Sequence, residues 1–482
     1  MGGKYEIDDV MKYFYAINQI PRMSGKEEKI ADYIENFAKD RRLKYIRDRN
    51  NNIIIIKEAS KLFQNDESLL LQCHMDMVCE KIKGSNHNFE TEPIEVYIDG
   101  DFIKAKGTTL GADNGIGVAI ILAILDSKNL KHPRIEAIFT VQEETTMEGA
   151  KTIDVSELKG NKMICLDNMK EEELLIGCAS AKVFDFEILC NKEEINEEYR
   201  LIRIEIDGFM GGHSGSDISK NRGNPIEEMG NLLFILNNKY DFYLKNIMGG
   251  RKVNVIPREC YSNLYVKYDE LENITNEINE FKKNLRSRFA DNNDKVDIAI
   301  EVNGEEDRYS LDKKTTRKII DILNAIPNGV YYEDKNKNPL VSVNIGVIVD
   351  EIDNVHLLFS TRSNRKTIES ELIKKIETIV EEYNINSEVS QLSGYEHKEK
   401  TKFIDECKTI YKQCFGRNPK LIDKHICLEA GFFGEKIPGL DFIAIAPDIH
   451  DAHSPNERCS ISSLRRIYKY ILIILENFER IQ

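Results

Sequence analysis

Two histidines and several carboxylates recur along this chain in contexts that suit metal chemistry. His74 and Asp76 follow the apolar run LLLQC, Asp113 lies within GTTLGADNGIG, Glu143 and Glu144 follow IFTVQ, Asp167 follows MICL, and His453 lies in HDAHSP after FIAIA. Each group is expected at or just beyond the end of a strand. Ligands of open α/β sheets bind outside the carboxyl ends of the strands, so residues far apart in sequence can share one rim. Imidazole nitrogen with carboxylate oxygen suits Zn²⁺, with Mn²⁺ or Co²⁺ as alternatives. Two ions about 3.5–4 Å apart need a shared ligand. Asp113 fits that part, because it lies in a glycine-rich turn at the start of a helix.

Charge supports a pair of ions. Two Zn²⁺ bring four positive charges, which must be balanced inside the site. Asp113, Glu144 and Asp167 bring three negative charges and a metal-bridging hydroxide a fourth, while His74 and His453 bind as neutral rings. A site that keeps a water-bearing position is catalytic rather than structural. Of the adjacent glutamates, Glu144 is read as a ligand and Glu143 as the general base that moves a proton from water to the leaving group. Asp76 lies two residues after His74 on the same strand face, where it can orient the imidazole.

The elements that must position these groups fall into three segments. Up to about Ser180, strands at 52–57, 68–74, 135–142 and 162–166 alternate with helices at 30–37 and 115–125, the pattern of an α/β sheet covered by helices. From about Ala181 to Val389, a strand at 201–206 is followed by two similar runs. The first reads helix 225–236, strands 252–256 and 262–268, helix 271–288 and strand 296–302. The second reads helix 315–325, strands 341–349 and 355–360, helix 368–383 and a strand near Ser387. The last segment returns to the first pattern, with a strand at 440–446 and a helix at 461–478. The expected fold is therefore an α/β catalytic domain with a mostly parallel central sheet (residues 1–180 and 390–482), carrying an inserted α+β domain of two similar halves (181–389).

At 482 residues the chain exceeds one ordinary core. Its net charge of −15 argues against nucleic acid, which is bound through a surplus of Lys and Arg. The longest apolar stretch, 115–125, is too short to cross a bilayer. The first 15 residues lack the apolar core of a signal peptide. A cytoplasmic protein is expected, without a membrane partner. Ten scattered cysteines without a C-x-x-C pair read as reduced, mostly buried thiols.

In order along the chain, LQCHMDMV, GTTLGADNGIG, TVQEETTMEGA, LDN, GGHSG, NVIPRE, HICLEAG and AHSPNE resemble the motifs of the aminoacyl-histidine dipeptidase family of co-catalytic zinc peptidases. The resemblance implies two Zn²⁺ per chain held by His74, Asp113, Glu144, Asp167 and His453, with Glu143 as base and Asp76 as the supporting acid. It also implies that the inserted domain is a lid over a short peptide substrate. His213 in GGHSG would then stabilise the oxyanion, and Asn254 and Arg362 would contact substrate, Arg362 at its terminal carboxylate. A monomer and a homodimer are both compatible with this reading, and His213 can serve its own site or a partner's.

Taken singly, each group has an ordinary reading: a strand histidine, a helix cap, a solvated strand end, an incidental turn histidine at His213, a surface charge at Arg362. Their joint order favours the site. His450, three residues before His453, is the rival ligand. His425 and Glu429 stand four apart and are read as a structural pair. The activity expected is hydrolysis of dipeptides and short unblocked peptides. The alternatives are an N-acyl amino acid amidohydrolase and an inactive metal-binding relative.

Overall fold

The structure is a computed structural model that describes residues 6–290, 295–302, 308–397 and 401–480. The chain forms two compact units. One comprises residues up to Cys178, His397–Lys424 and Leu428 onward; the other comprises Ala179–Glu396 and His425–Cys427.

The first unit is built on an eight-stranded sheet. Its order is Lys44–Arg47, Ile53–Lys57, Ile135–Thr140, Leu69–His74, Lys162–Cys165, Asp441–Ala444, Glu173–Cys178, Lys420–Lys424. The four strands from Ile135–Thr140 to Asp441–Ala444 run parallel. Every residue of Leu69–His74 and Ile135–Thr140 is buried, which is why both read as largely apolar runs, broken internally only by Gln72 and Glu136. Parallel strands in register end on one side. His74 pairs with Thr140, and Gln72 with Cys165, so the loops that follow all leave from the same edge.

Helix Ala112–Asp126 is apolar all round and buried from Ala112 to Leu125, as a helix at the centre of a core must be. Helices Asp8–Asn18, Glu28–Asp40, Lys402–Phe415 and Ile461–Glu476 add one apolar face each to the same core. A small sheet of Ile449–His450, Arg458–Ser460, Phe102–Ala105 and Val96–Asp99 joins the chain around His453 to the chain that leads into Asp113.

The second unit carries one long antiparallel sheet. Its order is Asp297–Val302, Tyr199–Asp207, Cys260–Lys267, Phe242–Gly249, Pro339–Asp350, Asn354–Ser363, Ser180–Leu189, Asn386–Leu392. It divides into two βαββαβ halves of the same strand order. In each, the fourth strand lies beside the first, then come the third and the second. The halves meet at their second strands, at Gly249 opposite Ile348. Helices Pro225–Asn237 and Leu271–Phe289 belong to one half, Lys313–Ala325 and Lys366–Tyr383 to the other. Asn224 caps the first of these helices, accepting from the backbone N–H of Ile226 and Glu227 ahead of Pro225.

The α/β and α+β classes and the doubled element order read from the sequence are therefore present. One strand was misplaced. Residues 252–256 form a turn that ends in the two-residue strand Val255–Ile256, and the ladder position belongs to Phe242–Gly249. A bulge between Leu244 and Asn246 breaks the alternation there, so Leu244 and Ile247 are both buried at a spacing of three. The opening strand of the second half, Ser180–Leu189, was also not read from the sequence. It precedes the whole first half in the chain.

Candidate active site

Within the first unit, the carboxyl edge of the parallel strands gathers the residues expected there. His74 is the last residue of its strand and is fully buried. Its Nε2 lies 3.3 Å from Asp113 Oδ1, and His453 Nε2 lies 3.2 Å from Asp113 Oδ2. The two oxygens of Asp113 thus face two different imidazoles. His453 Nε2 is also 3.1 Å from Glu144, and His74 Nε2 is 3.9 Å from Glu143 Oε2. Ligand atoms of His74, Asp113 and Asp167 lie within 4.8 Å of one another, as do those of Asp113, Glu144 and His453. Asp113 is common to both triads. Asp113 heads helix Ala112–Asp126 rather than following a strand, and the Asp113–Asn114 peptide is cis.

Asp76 is fully buried and gathers four donors or partners. Its oxygens lie 3.3 Å from His74 Nδ1, 2.7 Å from Ser24 Oγ, and 3.1 and 3.2 Å from the backbone nitrogens of Glu143 and Glu144. The contact to His74 is an ion-pair approach rather than a well-aligned hydrogen bond. One carboxylate therefore sets both the ring of His74 and the turn that carries the two glutamates. Beside it, Glu27 Oε1 accepts from the backbone nitrogens of Gly25 and Gln142.

The electrostatics are those of crowded acids. Burial raises Glu143, Glu144 and Asp167, and neighbouring carboxylates add to the effect, taking Asp167 to about 6. Burial opposes ionisation of Asp113 as well, but the two histidines hold it well below the usual carboxylate range. Hydrogen bonds to Asp113 and Glu144 push His453 up to about 11. Burial disfavours charge on His74, yet Asp113 and Asp76 raise it well above the ordinary imidazole value. The donor set, two triads of hard and borderline donors sharing one carboxylate, fits a pair of divalent ions.

His450 is not part of either triad. It lies on strand Ile449–His450, its ring edge-on to Phe102 at 5.9 Å, whereas His453 sits on the following loop with a left-handed backbone, φ 61°. The expected pairing of His425 with Glu429 is overturned. His425 Nδ1 lies 2.6 Å from Asn364 Oδ1 and its Nε2 2.8 Å from Ser342 Oγ, in the second unit. Glu429 belongs to the first unit and is 1 % exposed. Its Oε2 lies 2.6 Å from both Gln72 Nε2 and Thr140 Oγ1, while Oε1 has no partner among the described residues. Burial pushes this carboxyl up to about 8. The two residues were read as sharing a helix face, but the helix begins only at Ala430, so no helical turn brings them together.

The second unit holds the other three expected residues. His213 lies on the two-residue strand Gly212–His213, which pairs with Val255–Ile256. Its Nδ1 accepts from the backbone nitrogens of Gly215 and Ser216, both at 3.1 Å. Two donors on Nδ1 leave the ring proton on Nε2. Burial and the nearby Arg362 push His213 down to about 4, so the ring is neutral. Asn254 is exposed, and its carbonyl accepts from Ser214 N at 3.0 Å. Arg362 is buried near the end of strand Asn354–Ser363, with Nε 3.3 Å from Ser214 Oγ and Nη1 3.3 Å from Cys427 Sγ. These contacts gather the GGHSG, NVIPRE and HICLEAG motifs around one arginine.

Two residues near the centre escaped sequence reasoning. Glu457 and Arg22, 3 % and 2 % exposed, both bind the turn that leads into Asp113. Glu457 stood inside the AHSPNE motif and so had a signal; Arg22, in a polar stretch near the N-terminus, had none.

Comparison with known proteins shows the family. The model of Peptidase family M20/M25/M40 matches residues 70–477. The chain belongs to this peptidase family. The cytosol non-specific dipeptidase of Escherichia coli (strain K12) is 29% identical to it over 466 residues, covering 96% of each chain. The crystal structure of aminoacylhistidine dipeptidase from Vibrio alginolyticus superposes with a TM-score of 0.87 at 30% identity, covering 98% of this chain and 97% of that one. The aminopeptidase PepT of Bacillus cereus ATCC 10987 matches with a TM-score of 0.57 at 15% identity, covering 98% and 99% of the two chains, a likeness of fold alone. No helix of this M20 chain, among the described residues, is long and apolar enough to cross a membrane.

Proposed function

We propose that this M20 peptidase hydrolyses dipeptides and other short unblocked peptides at a pair of divalent cations, Zn²⁺ or alternatively Mn²⁺ or Co²⁺. The observation that carries the reading is Asp113, whose two carboxylate oxygens each approach the Nε2 of a different histidine. The names of the E. coli and Vibrio relatives, both dipeptidases, support the substrate class. The E. coli relative's name also supports a cytoplasmic location.

His74, Asp113 and Asp167 would hold one ion, and Asp113, Glu144 and His453 the other. When bound, the pair would polarise the scissile carbonyl and make a water nucleophilic at neutral pH. Glu143 also lies within 4.8 Å of ligand atoms of His74 and Glu144; standing at the edge of the centre and outside the two triads that share Asp113, it takes the proton from the attacking water and returns it to the leaving amine nitrogen. Asp76 keeps His74 oriented and fixes the turn that aims Glu143. His213, neutral with its proton on Nε2, offers a hydrogen-bond donor to a developing oxyanion. Arg362 offers its guanidinium fork to the terminal carboxylate of the peptide, with Asn254 as a further substrate contact. Reading a free carboxylate at fixed reach from the metal centre would restrict substrates to short peptides.

The test is a panel of free dipeptides, longer peptides, carboxyl-amidated dipeptides and N-acyl amino acids, assayed with metal analysis of the purified protein. Turnover of free dipeptides with about two metal equivalents per chain is the expected result. Turnover confined to N-acyl amino acids, or none with metal bound, would overturn the reading.

A further inference from the structure

We propose that Glu457 is a positioning residue for the metal centre, a clamp that fixes the bridging carboxylate and ties it to the loop of the second histidine. The inference rests on the metallopeptidase reading above and adds to it a residue that touches neither substrate nor ions.

The geometry is a carboxylate set into four consecutive backbone N–H groups. Glu457 Oε2 accepts from Leu110 N at 2.8 Å and Gly111 N at 2.9 Å; Oε1 accepts from Ala112 N at 2.8 Å and Asp113 N at 3.2 Å. The last donor is the backbone of Asp113 itself. A run of N–H groups converging at a helix start is a strong anion cradle, and here the anion is a side chain of the same protein. The turn needs glycine at 111, where φ is +67° and a Cβ would collide with the guanidinium of Arg22. Arg22 Nη2 donates to Gly111 O at 2.7 Å, so the turn is held by its carbonyl as well as its N–H groups.

Glu457 also belongs to the chain of His453. Its backbone nitrogen donates to Ser454 O at 3.0 Å, closing the loop that starts at His453. One side chain therefore couples the Asp113 turn to the His453 loop, and the two residues it couples stand 3.2 Å apart. An ion pair shared through Asp113 depends on that carboxylate being held at one angle, and no other described carboxylate contacts this turn's N–H groups.

Glutamine cannot replace this group. It keeps one acceptor oxygen and turns an NH₂ donor toward two N–H donors, leaving the turn half unsatisfied. A control exists in the same unit. Glu136 is fully buried and accepts from the backbone nitrogens of Lys159 and Gly160 and from Arg134, at the opposite end of its strand from Glu143.

The experiment is Zn²⁺ titration of the metal-free protein by calorimetry, alongside dipeptidase kinetics, for wild type, Glu457→Gln, Glu457→Asp and Glu136→Gln. Glu457→Gln should weaken Zn²⁺ binding by about 10- to 100-fold. It should lower kcat with KM for dipeptide within about threefold, because substrate contacts are untouched. Glu457→Asp keeps the charge but retracts it by one methylene, and should lose affinity to a smaller extent. Glu136→Gln should bind Zn²⁺ as wild type does. Wild-type Zn²⁺ affinity in either folded Glu457 variant, or equal losses in Glu136→Gln, would overturn the clamp. A wild-type protein that binds Zn²⁺ but cleaves no dipeptide would defeat the proposed function and leave the binding comparison decisive for Glu457.

Discussion

Replacing Glu429 by Gln should make the metal-free protein more stable at neutral and alkaline pH. The carboxyl lies among buried strands with one oxygen unpartnered, and burial lifts it from an ordinary 4.5 to about 8. The folded chain therefore holds this proton more tightly than the unfolded chain does. Its stabilising effect is complete below pH 4.5 and is lost as the pH rises through about 8. At about 1.4 kcal/mol per pH unit, the loss amounts to roughly 3 kcal/mol by pH 7 and approaches about 5 kcal/mol by pH 9. Gln is neutral at every pH and occupies the same volume. It can still accept from Thr140, whose hydroxyl also faces the carbonyl of Cys73. The advantage of Glu429→Gln over wild type should thus be near zero at pH 5 and grow to several kcal/mol by pH 9. Urea denaturation in excess chelator measures it, followed by far-ultraviolet circular dichroism because the chain has no tryptophan. A difference that stays flat from pH 5 to 9, within about 0.5 kcal/mol, would mean that Glu429 is ionised throughout and would refute the reasoning.

Three further outcomes can be checked on the same material. Glu143→Gln should lower kcat by at least about 100-fold while metal analysis finds both ions retained; near-normal turnover removes Glu143 from the base role. Asp113→Ala should lose metal as well as activity, and retention of two ions would exclude it as the shared ligand. Arg362→Ala should raise KM for free dipeptides by about 10- to 100-fold, the value of a charge-assisted hydrogen bond, and barely change KM for carboxyl-amidated ones. Equal effects on both substrates would contradict carboxylate recognition.

Much of this was legible in the sequence because the chemistry sits where patterns are strongest. Strands such as Leu69–His74 and Ile135–Thr140 are buried end to end, so their apolar runs are plain and the polar residues just beyond them stand out. Asp113 was legible from its glycines, though the helix it heads departs from helical geometry at Asp113 and Asn114. What escaped was set by contacts between distant segments. Glu457 reaches backbone groups some 345 residues away, and backbone N–H groups leave no mark in a sequence. Helix Lys402–Phe415 was also not read, although Phe403, Ile404, Cys407, Ile410 and Tyr411 stand at the spacing of one helical face. Strand Phe242–Gly249 was hidden by its bulge, and Ser180–Leu189 by sitting ahead of the half it completes.

That last placement bears on how the chain is made. Ser180–Leu189 lies between Asn354–Ser363 and Asn386–Leu392, with Ser180 opposite Ser363 and Glu187 opposite Asn386. During synthesis the first βαββαβ half can finish while this strand still waits, its Phe184 and Phe186 without the partner ring of Phe359. Some 170 residues must emerge before either edge is paired. Loop closure over such a span is slow, and an unpaired apolar strand invites association with other nascent chains. A ribosome-bound chain ending near residue 340 should therefore be protease-resistant in its first half and a client for chaperones at Ser180–Leu189.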